Sequence, residues 1–294
     1  MTDIIPFDKR DGFIWYNGEF TDWKDAKVHI LNHGLHYASS VFEGERIYNG
    51  KIFECNWHSK RLHESANYLG FKIPYSVEEL NEAKKAIAKK QNIVDGYMRA
   101  FAFRGSEKMA ISAQNNFIHT AIACWPWPPY YSDEARKKGL RLKFARYQRP
   151  DPKTAPVHAK AAGLYMICTI SKHEAEREGY NDALMLDYRG FLAEATGANL
   201  FLVMKNDEIH TPTPDCFLNG ITRQTVIKLA KESGLKVVER HIKPEELADA
   251  KDAFLTGSAA EITRIGEVDN KYFYPKISDI TSNLMKKYHE MVRK

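Results

Sequence analysis

The run Trp125-Pro126-Trp127-Pro128-Pro129-Tyr130-Tyr131 constrains the chain more than any other segment. Its three prolines remove three backbone donors and fix three φ angles, which excludes a helix or a central strand. The chain is therefore expected to break here. We read a small α/β domain over 1–124, an interdomain loop over 125–134 and a larger domain over 135–294. With 294 residues, 44% of them hydrophobic, the chain can bury a core without a disulfide or metal staple.

Local signals alternate in both parts. Phe13–Tyr16, Asn17-Gly18 and Glu19-Phe20 spell a hairpin, and Glu45–Tyr48, Asn49-Gly50 and Lys51–Phe53 a second. Leu62, Ala66 and Leu69 are helically spaced within Asn56–Leu69, and Gly70 stops the run. Ser76-Val77-Glu78-Glu79 is a capping box that opens a helix through Lys90. Tyr97–Phe103 and His119–Trp125 read as strands. Beyond the prolines, Leu140–Arg146 is a strand and Tyr165–Arg177 a helix. Asp182–Leu192 and Asn199–Thr211 each carry a turn. Ile221–Ser233 is a helix closed by Gly234, Lys236–Ile242 a strand, Phe254–Thr256 a short strand and Ser278–Val292 a final helix. Such mixing makes the fold class α+β.

Several functions are excluded. Forty-three basic and 38 acidic residues give a net charge of only +5. The two signs interleave, so no nucleic-acid partner is expected. Cys55, Cys124, Cys168 and Cys216 form no CxxC pair, which fits reduced thiols in a cytoplasmic protein. The first eight residues lack the basic start and apolar core of a signal peptide. The longest apolar run, Ala161–Ile170, is about half a membrane span, so no membrane partner is expected. His33 and His36 have no third ligand at useful spacing, and no metal is expected. GxGxxG, Walker, HExxH and GxSxG motifs are absent.

Four segments carry possible chemistry, and each also has a plain structural reading. In His158-Ala159-Lys160-Ala161-Ala162-Gly163, a lysine flanked by small residues enters an apolar helix. Poor solvation would lower its pKa and free a nucleophilic amine; alternatively it snorkels. Glu194 stands among small residues before an apolar strand and needs a cationic or N–H partner. That partner is a protonated pyridine nitrogen or an ordinary Arg or Lys. Leu218-Asn219-Gly220-Ile221-Thr222-Arg223 opens a helix with free amides, an anion site or a simple cap. Thr256-Gly257-Ser258-Ala259-Ala260-Glu261 repeats that logic, as a second anion site or a tight turn.

A lysine nucleophile, an acid for a ring nitrogen and a phosphate cradle together fit pyridoxal 5'-phosphate. Glu194, Thr196 and Asn199-Leu200-Phe201, then Ile209-His210-Thr211 and Leu218–Arg223, resemble the signature of class IV pyridoxal-phosphate aminotransferases. The resemblance extends over nearly the whole chain. It is closest to branched-chain-amino-acid aminotransferases, whose landmarks match His33–Tyr37, Val41-Phe42-Glu43-Gly44, Arg61-Leu62-His63 and Tyr97-Met98-Arg99. The fold it implies is the two-domain fold of D-amino-acid aminotransferase, with the cofactor bound by the larger domain.

By the same resemblance, Lys160 is the catalytic Schiff-base lysine and Glu194 faces the pyridine nitrogen. Arg61, with Gly220, Ile221, Thr222 and Ser258, holds the phosphate, and Tyr165 meets the ring hydroxyl. Tyr97 receives the substrate α-carboxylate with Ser258, Ala259 and Ala260, and Arg99 the distal carboxylate of glutamate. Phe42, Trp127, Tyr130 and Tyr165 wall the side-chain pocket. Tyr37 and Ile111 come from the partner subunit of a homodimer, and the family also forms hexamers.

The implied reaction moves the amino group between isoleucine, leucine or valine and 2-oxoglutarate. D-Amino-acid aminotransferases and aminodeoxychorismate lyases share the fold, but the Tyr97-x-Arg99 pair argues against both. A cofactor-free lysine aldolase would leave Glu194 and the phosphate cradle unexplained. A non-enzymatic binder of this fold would be expected to lack Lys160 or Glu194. Two departures bear on substrate range: Ala100 stands where many relatives have proline, and Ala110 where glycine is usual.

Overall fold

The computed structural model describes residues 5–128 and 130–294. Pro129 of the proline run, and residues 1–4 of the N-terminal segment, lie outside the described residues. The chain forms two compact units, Met1–Pro128 with Ala159–Gly163, and Pro129–His158 with Leu164–Lys294.

In the first unit, β1 (Phe13–Tyr16) and β2 (Glu19–Asp22) form the first hairpin, followed by α1 (His33–Tyr37) and β3 (Ser40–Phe42). The second hairpin joins β4 (Glu45–Tyr48) to β5 (Lys51–Ile52). Asn17 and Asn49 take the positive φ that a tight hairpin turn demands. Then come α2 (Cys55–Tyr68), α3 (Val77–Lys90), β6 (Gly96–Arg104) and β7 (Ile118–Pro126). The sheet runs β2-β1-β7-β6-β4-β5, with β3 also on β6. The expected capping box is present: Glu79 N donates to Ser76 Oγ and Ser76 N to Glu79. Leu62 and Ala66 of α2 and Leu80 and Ile87 of α3 pack with Ile47, Met98 and Ile122 of the sheet.

The proline run corrects one expectation. Trp125 and Pro126 belong to β7, with Trp125 opposite Tyr97 and Pro126 opposite Gly96. β1 pairs with β7 only at Ala121 and Ile122, so Pro126 occupies a strand end, where a missing N–H is tolerated.

The second unit contains α4 (Asp133–Lys138), β8 (Leu140–Phe144), α5 (Met166–Arg177), β9 (Asp182–Leu186), β10 (Leu192–Ala195), β11 (Asn199–Met204) and β12 (Ile209–Pro212). After these follow α6 (Ile221–Glu232), β13 (Val237–Arg240), β14 (Ala250–Gly257), β15 (Glu261–Val268), β16 (Tyr272–Phe273) and α7 (Asp279–Val292). The strand order β10-β9-β8-β15-β14-β11 returns to β10, closing a six-stranded barrel, and β12 and β13 extend it. Closure rests on one residue pair, Glu194 with Asn199. Leu142, Leu184, Leu200, Leu202, Leu255 and Ile265 lie in its core.

Two strands are longer than the sequence suggests. Only Phe254–Thr256 read as strand, yet β14 and β15 each span eight residues. Asp252 and Arg264 break the apolar pattern, but both are buried and pair with each other at 3.7 Å. The expected helix from Tyr165 instead starts at Met166, after a 3₁₀ turn over Ala162–Tyr165.

Candidate active site

The candidate residues divide between the two units. In the first, α2 places Arg61 and Ser65 one turn apart, hence on one face. Ser65 Oγ accepts the Lys160 backbone N–H at 2.9 Å. The Lys160 carbonyl accepts from Phe42 N at 3.1 Å, and Ala161 bridges to Val41. These backbone ties hold Lys160 against β3 and α2 whatever its side chain does. The Lys160 ammonium lies 4.8 Å from the centre of the Phe42 ring. Burial, and then the neighbouring Arg61 charge, lower its pKa to about 8; Glu43 and Tyr97 act in the opposite direction.

Arg61 is itself held. Its Nε and Nη2 donate to Glu43 Oε1 and Oε2 at 2.7 and 2.8 Å. His58 Nδ1 meets Glu43 Oε2 at 2.6 Å. Glu43 is fully buried. Burial alone would raise its pKa, but Arg61 and His58 outweigh that and hold the carboxyl below its usual range.

An aromatic wall continues from this cluster. Tyr97 lies 5.4 Å from the Trp125 ring and 5.3 Å from the Trp127 ring. Arg99, two residues along β6 and so on the same face, lays its guanidinium 4.5 Å from the centre of the Phe42 ring. Its Nη2 donates to the Tyr97 hydroxyl at 3.3 Å. The structure thus brings Phe42, Arg61, Tyr97, Arg99, Trp127 and Lys160 into one unit. Tyr37 and Ile111 are 44% and 84% exposed, on α1 and in the loop before β7. Ala100 is buried, and its carbonyl accepts Glu43 N at 2.7 Å; the Ala110 carbonyl accepts His33 Nε2 at 2.9 Å.

Gly44 makes the wall possible. A Cβ there would stand 1.9 Å from the Tyr97 hydroxyl. Gly44→Ala should therefore displace Tyr97, costing about 1–3 kcal/mol of stability. It should raise KM more than it lowers kcat. Unchanged melting temperature and KM would show that the hydroxyl moves aside freely.

In the second unit, Glu194 projects from β10 at the barrel closure. Its Oε2 accepts Asn199 Nδ2 at 3.0 Å, and its Oε1 lies 3.4 Å from Arg149 Nε. Arg149 is buried and also donates to Cys168 Sγ at 3.3 Å. Asn199 additionally donates to the Leu218 carbonyl and accepts Gly220 N. One side chain so ties Glu194 to the start of α6. That start has no side-chain cap, which leaves the Ile221 and Thr222 amides for an anion. A Cβ at Gly220 would lie 2.2 Å from Asn199 Oδ1, so the close approach requires glycine. Ser258, Ala259 and Ala260 form the turn between β14 and β15. Tyr165 ends the 3₁₀ turn before α5, and Tyr130 packs edge-on against Tyr131 at 4.8 Å.

A family model for amino-transferase class IV matches residues 40–268. The chain belongs to the class IV aminotransferases. Among curated relatives of this class IV enzyme, the probable branched-chain-amino-acid aminotransferase of Rickettsia felis is 41% identical over 292 residues, covering 99% of each chain. The branched-chain-amino-acid aminotransferase of Pseudomonas aeruginosa is 40% identical, over 96% of this chain and 94% of its own. The solved branched-chain amino acid aminotransferase of Escherichia coli has a TM-score of 0.92 at 35% identity, covering 96% of this chain and 95% of that one. The solved T.th. branched-chain enzyme with pyridoxamine 5'-phosphate also scores 0.92 at 35% identity, covering 97% and 96%.

Several residues that build the site carried no assigned role in the sequence, among them Glu43, Gly44, His58, Ser65, Arg149 and Asn199. His58, Arg61 and Ser65 follow the i, i+3, i+7 spacing of one helical face, a signal that was available. Arg149, 45 residues from Glu194, offered none.

Proposed function

We propose that this aminotransferase exchanges the amino group between branched-chain L-amino acids and 2-oxoglutarate, giving branched-chain 2-oxo acids and L-glutamate. Its cofactor is pyridoxal 5'-phosphate. One observation carries the substrate reading: Arg99 lies across Phe42 beside the Tyr97–Trp127 wall, in the unit that holds Lys160. Aromatic walls stabilise an aliphatic side chain by roughly 0.8 kcal/mol per buried CH₂. They cannot take a second carboxylate, because a buried unpaired charge is prohibitive. A cation that stacks on Phe42 and bonds Tyr97 when no carboxylate is present serves both substrates.

The donor set fits the cofactor: an amine with a lowered pKa, a buried arginine, an uncapped helix start cradled at Gly220, and a paired carboxylate. Pyridoxal phosphate, when bound, supplies an aldehyde that condenses with amines and a protonated ring that accepts the electron pair left at Cα. Lys160 would hold the aldehyde end of the cofactor, and its amine, with its lowered pKa, would move the substrate Cα proton as base and then acid. Glu194, oriented by Arg149 and Asn199, keeps the ring nitrogen protonated. Arg61, the Ile221 and Thr222 amides and Ser258 hold the phosphate, and Tyr165 takes the ring hydroxyl. Tyr97 with Ser258, Ala259 and Ala260 orients the α-carboxylate, and Phe42, Trp127, Tyr130 and Tyr165 exclude water around the side chain.

The exposed Leu35, Tyr37 and Ile111 support a homodimer in which Tyr37 and Ile111 complete the partner's pocket. No helix among the described residues is long and apolar enough to cross a membrane. No disulfide joins the four cysteines, which supports a reducing, cytoplasmic setting.

A panel of amino donors with 2-oxoglutarate tests the reading. Isoleucine, leucine and valine should give the highest kcat/KM; a D-amino acid in first place would overturn it.

Two further results are expected. Because burial and Arg61 disfavour the ammonium, the free amine of Lys160 dominates above about pH 8 rather than near 10.5. Cofactor uptake by the apo chain, followed by visible absorbance, should thus rise with pH through about 8 and then level off. A midpoint near 10 would contradict the lowered amine. Glu194→Gln should keep the cofactor but slow the proton shift by ~10²–10³, as for loss of one preorganised electrostatic contact. An unchanged single-turnover rate would mean that Glu194 does not serve the ring nitrogen.

A further inference from the structure

We propose that Glu43 is a positioning residue for the phosphate end of the cofactor, presetting the Arg61 guanidinium before the cofactor arrives, with His58 fixing Glu43 in turn. This rests on the reading of Arg61 as the phosphate arginine.

The geometry is that of a fork. Glu43 takes the Nε–Nη2 edge of Arg61 with both oxygens, at 2.7 and 2.8 Å. Two parallel charge-assisted bonds fix the guanidinium plane as well as its place, which a single contact cannot do. Glu43 has no freedom of its own. It is buried, its Oε2 meets His58 Nδ1 at 2.6 Å, and its backbone N–H is bound to the Ala100 carbonyl. An arginine side chain left to wander would lose rotamer freedom on meeting the phosphate. Here that ordering is done by the fold.

The surroundings of Glu43 point the same way. Phe42 binds the Lys160 carbonyl through its N–H. Gly44 gives room to the Tyr97 hydroxyl. Three consecutive residues, Phe42, Glu43 and Gly44, thus register Lys160, Arg61 and Tyr97 on one backbone segment. Two residues on, Glu45 makes a second fully buried pair, with Lys84 at 2.7 Å. That pair joins β4 to α3 and involves none of the residues assigned to the cofactor or substrate. It is an internal control for what a buried ion pair does when its role is only structural.

The test compares two probes, pyridoxal phosphate and pyridoxal, which differ only in the phosphate. Dissociation constants are measured on the full-length apo chain, with melting temperature alongside. Glu43→Gln should weaken pyridoxal phosphate by roughly tenfold or more, and pyridoxal by less than about threefold. Its effect should vanish in an Arg61→Met background, because residues acting through one contact are not additive. Glu45→Gln should lower the melting temperature without changing the ratio of the two constants. If Glu43→Gln does not fold, His58→Gln should show the same selective loss, smaller in size. Equal weakening of both probes by Glu43→Gln, or a full effect persisting in Arg61→Met, would overturn the proposal. If Arg61→Met itself leaves the preference for pyridoxal phosphate intact, the assignment of Arg61 fails and the proposal falls with it, by a different arm.

Discussion

Lys160→Ala is expected to abolish the visible absorbance of bound cofactor and to cut turnover by on the order of 10⁵–10⁶, the scale of losing a covalent nucleophile. In the proposed role of Lys160, two functions would vanish together, the covalent hold on the cofactor and the base that moves the Cα proton. The fold should survive. The ties of Lys160 to Ser65 and Phe42 are made by its backbone, and alanine keeps them. Linkage gives the sign for stability. The folded pKa, about 8, is below the ordinary lysine value, so the fold disfavours the ammonium and is less stable below pH 8 than above pH 10.5. That charge penalty opposes the packing lost with the side chain, so the melting temperature of the apo chain at neutral pH should change little. Absorbance and turnover retained in the variant would end the assignment of Lys160.

Arg99→Met should damage one half-reaction and largely spare the other. For glutamate and 2-oxoglutarate, loss of the charged contact to the distal carboxylate should cost about 2–5 kcal/mol. Isoleucine presents no second charge, and methionine still fills the space beside Phe42 and Tyr97. The isoleucine half-reaction should change by much less. Single-turnover spectroscopy of each half-reaction separates the two. Equal losses would mean that Arg99 serves the shared α-carboxylate or only supports Tyr97, which it reaches at 3.3 Å.

Elements whose causes lie within a few residues were legible. The Asn-Gly turns of both hairpins need only local backbone geometry, and the Ser76 box needs only a side chain three residues away. The same holds for α7, read as a helix from Ser278: it starts at Asp279, and Ser278 Oγ accepts Thr281 N as its cap. Of the site, Lys160, Glu194 and the Gly220–Thr222 helix start stood out because unusual residue types sat in unusual local company. The length of β14 and β15 was not legible. Their buried Asp252 and Arg264 look like interruptions until the strands pair and each becomes the other's counter-ion.

The sequence by itself determined which chemical groups are present and which short segments are helix, strand or turn, because propensity, capping and spacing act over one or two turns of chain. Only the tertiary structure decided the states of those groups. The Lys160 amine is lowered because burial and Arg61 surround it. Glu194 is oriented because the barrel closes at its pairing with Asn199 and brings Arg149 within 3.4 Å. Arg61 is forked because β3 and β4 flank Glu43 and hold it against α2. Desolvation and ion pairing depend on what lies nearby in space, and in this chain those neighbours range from 5 positions away, Asn199 beside Glu194, to 117, Glu43 near Lys160.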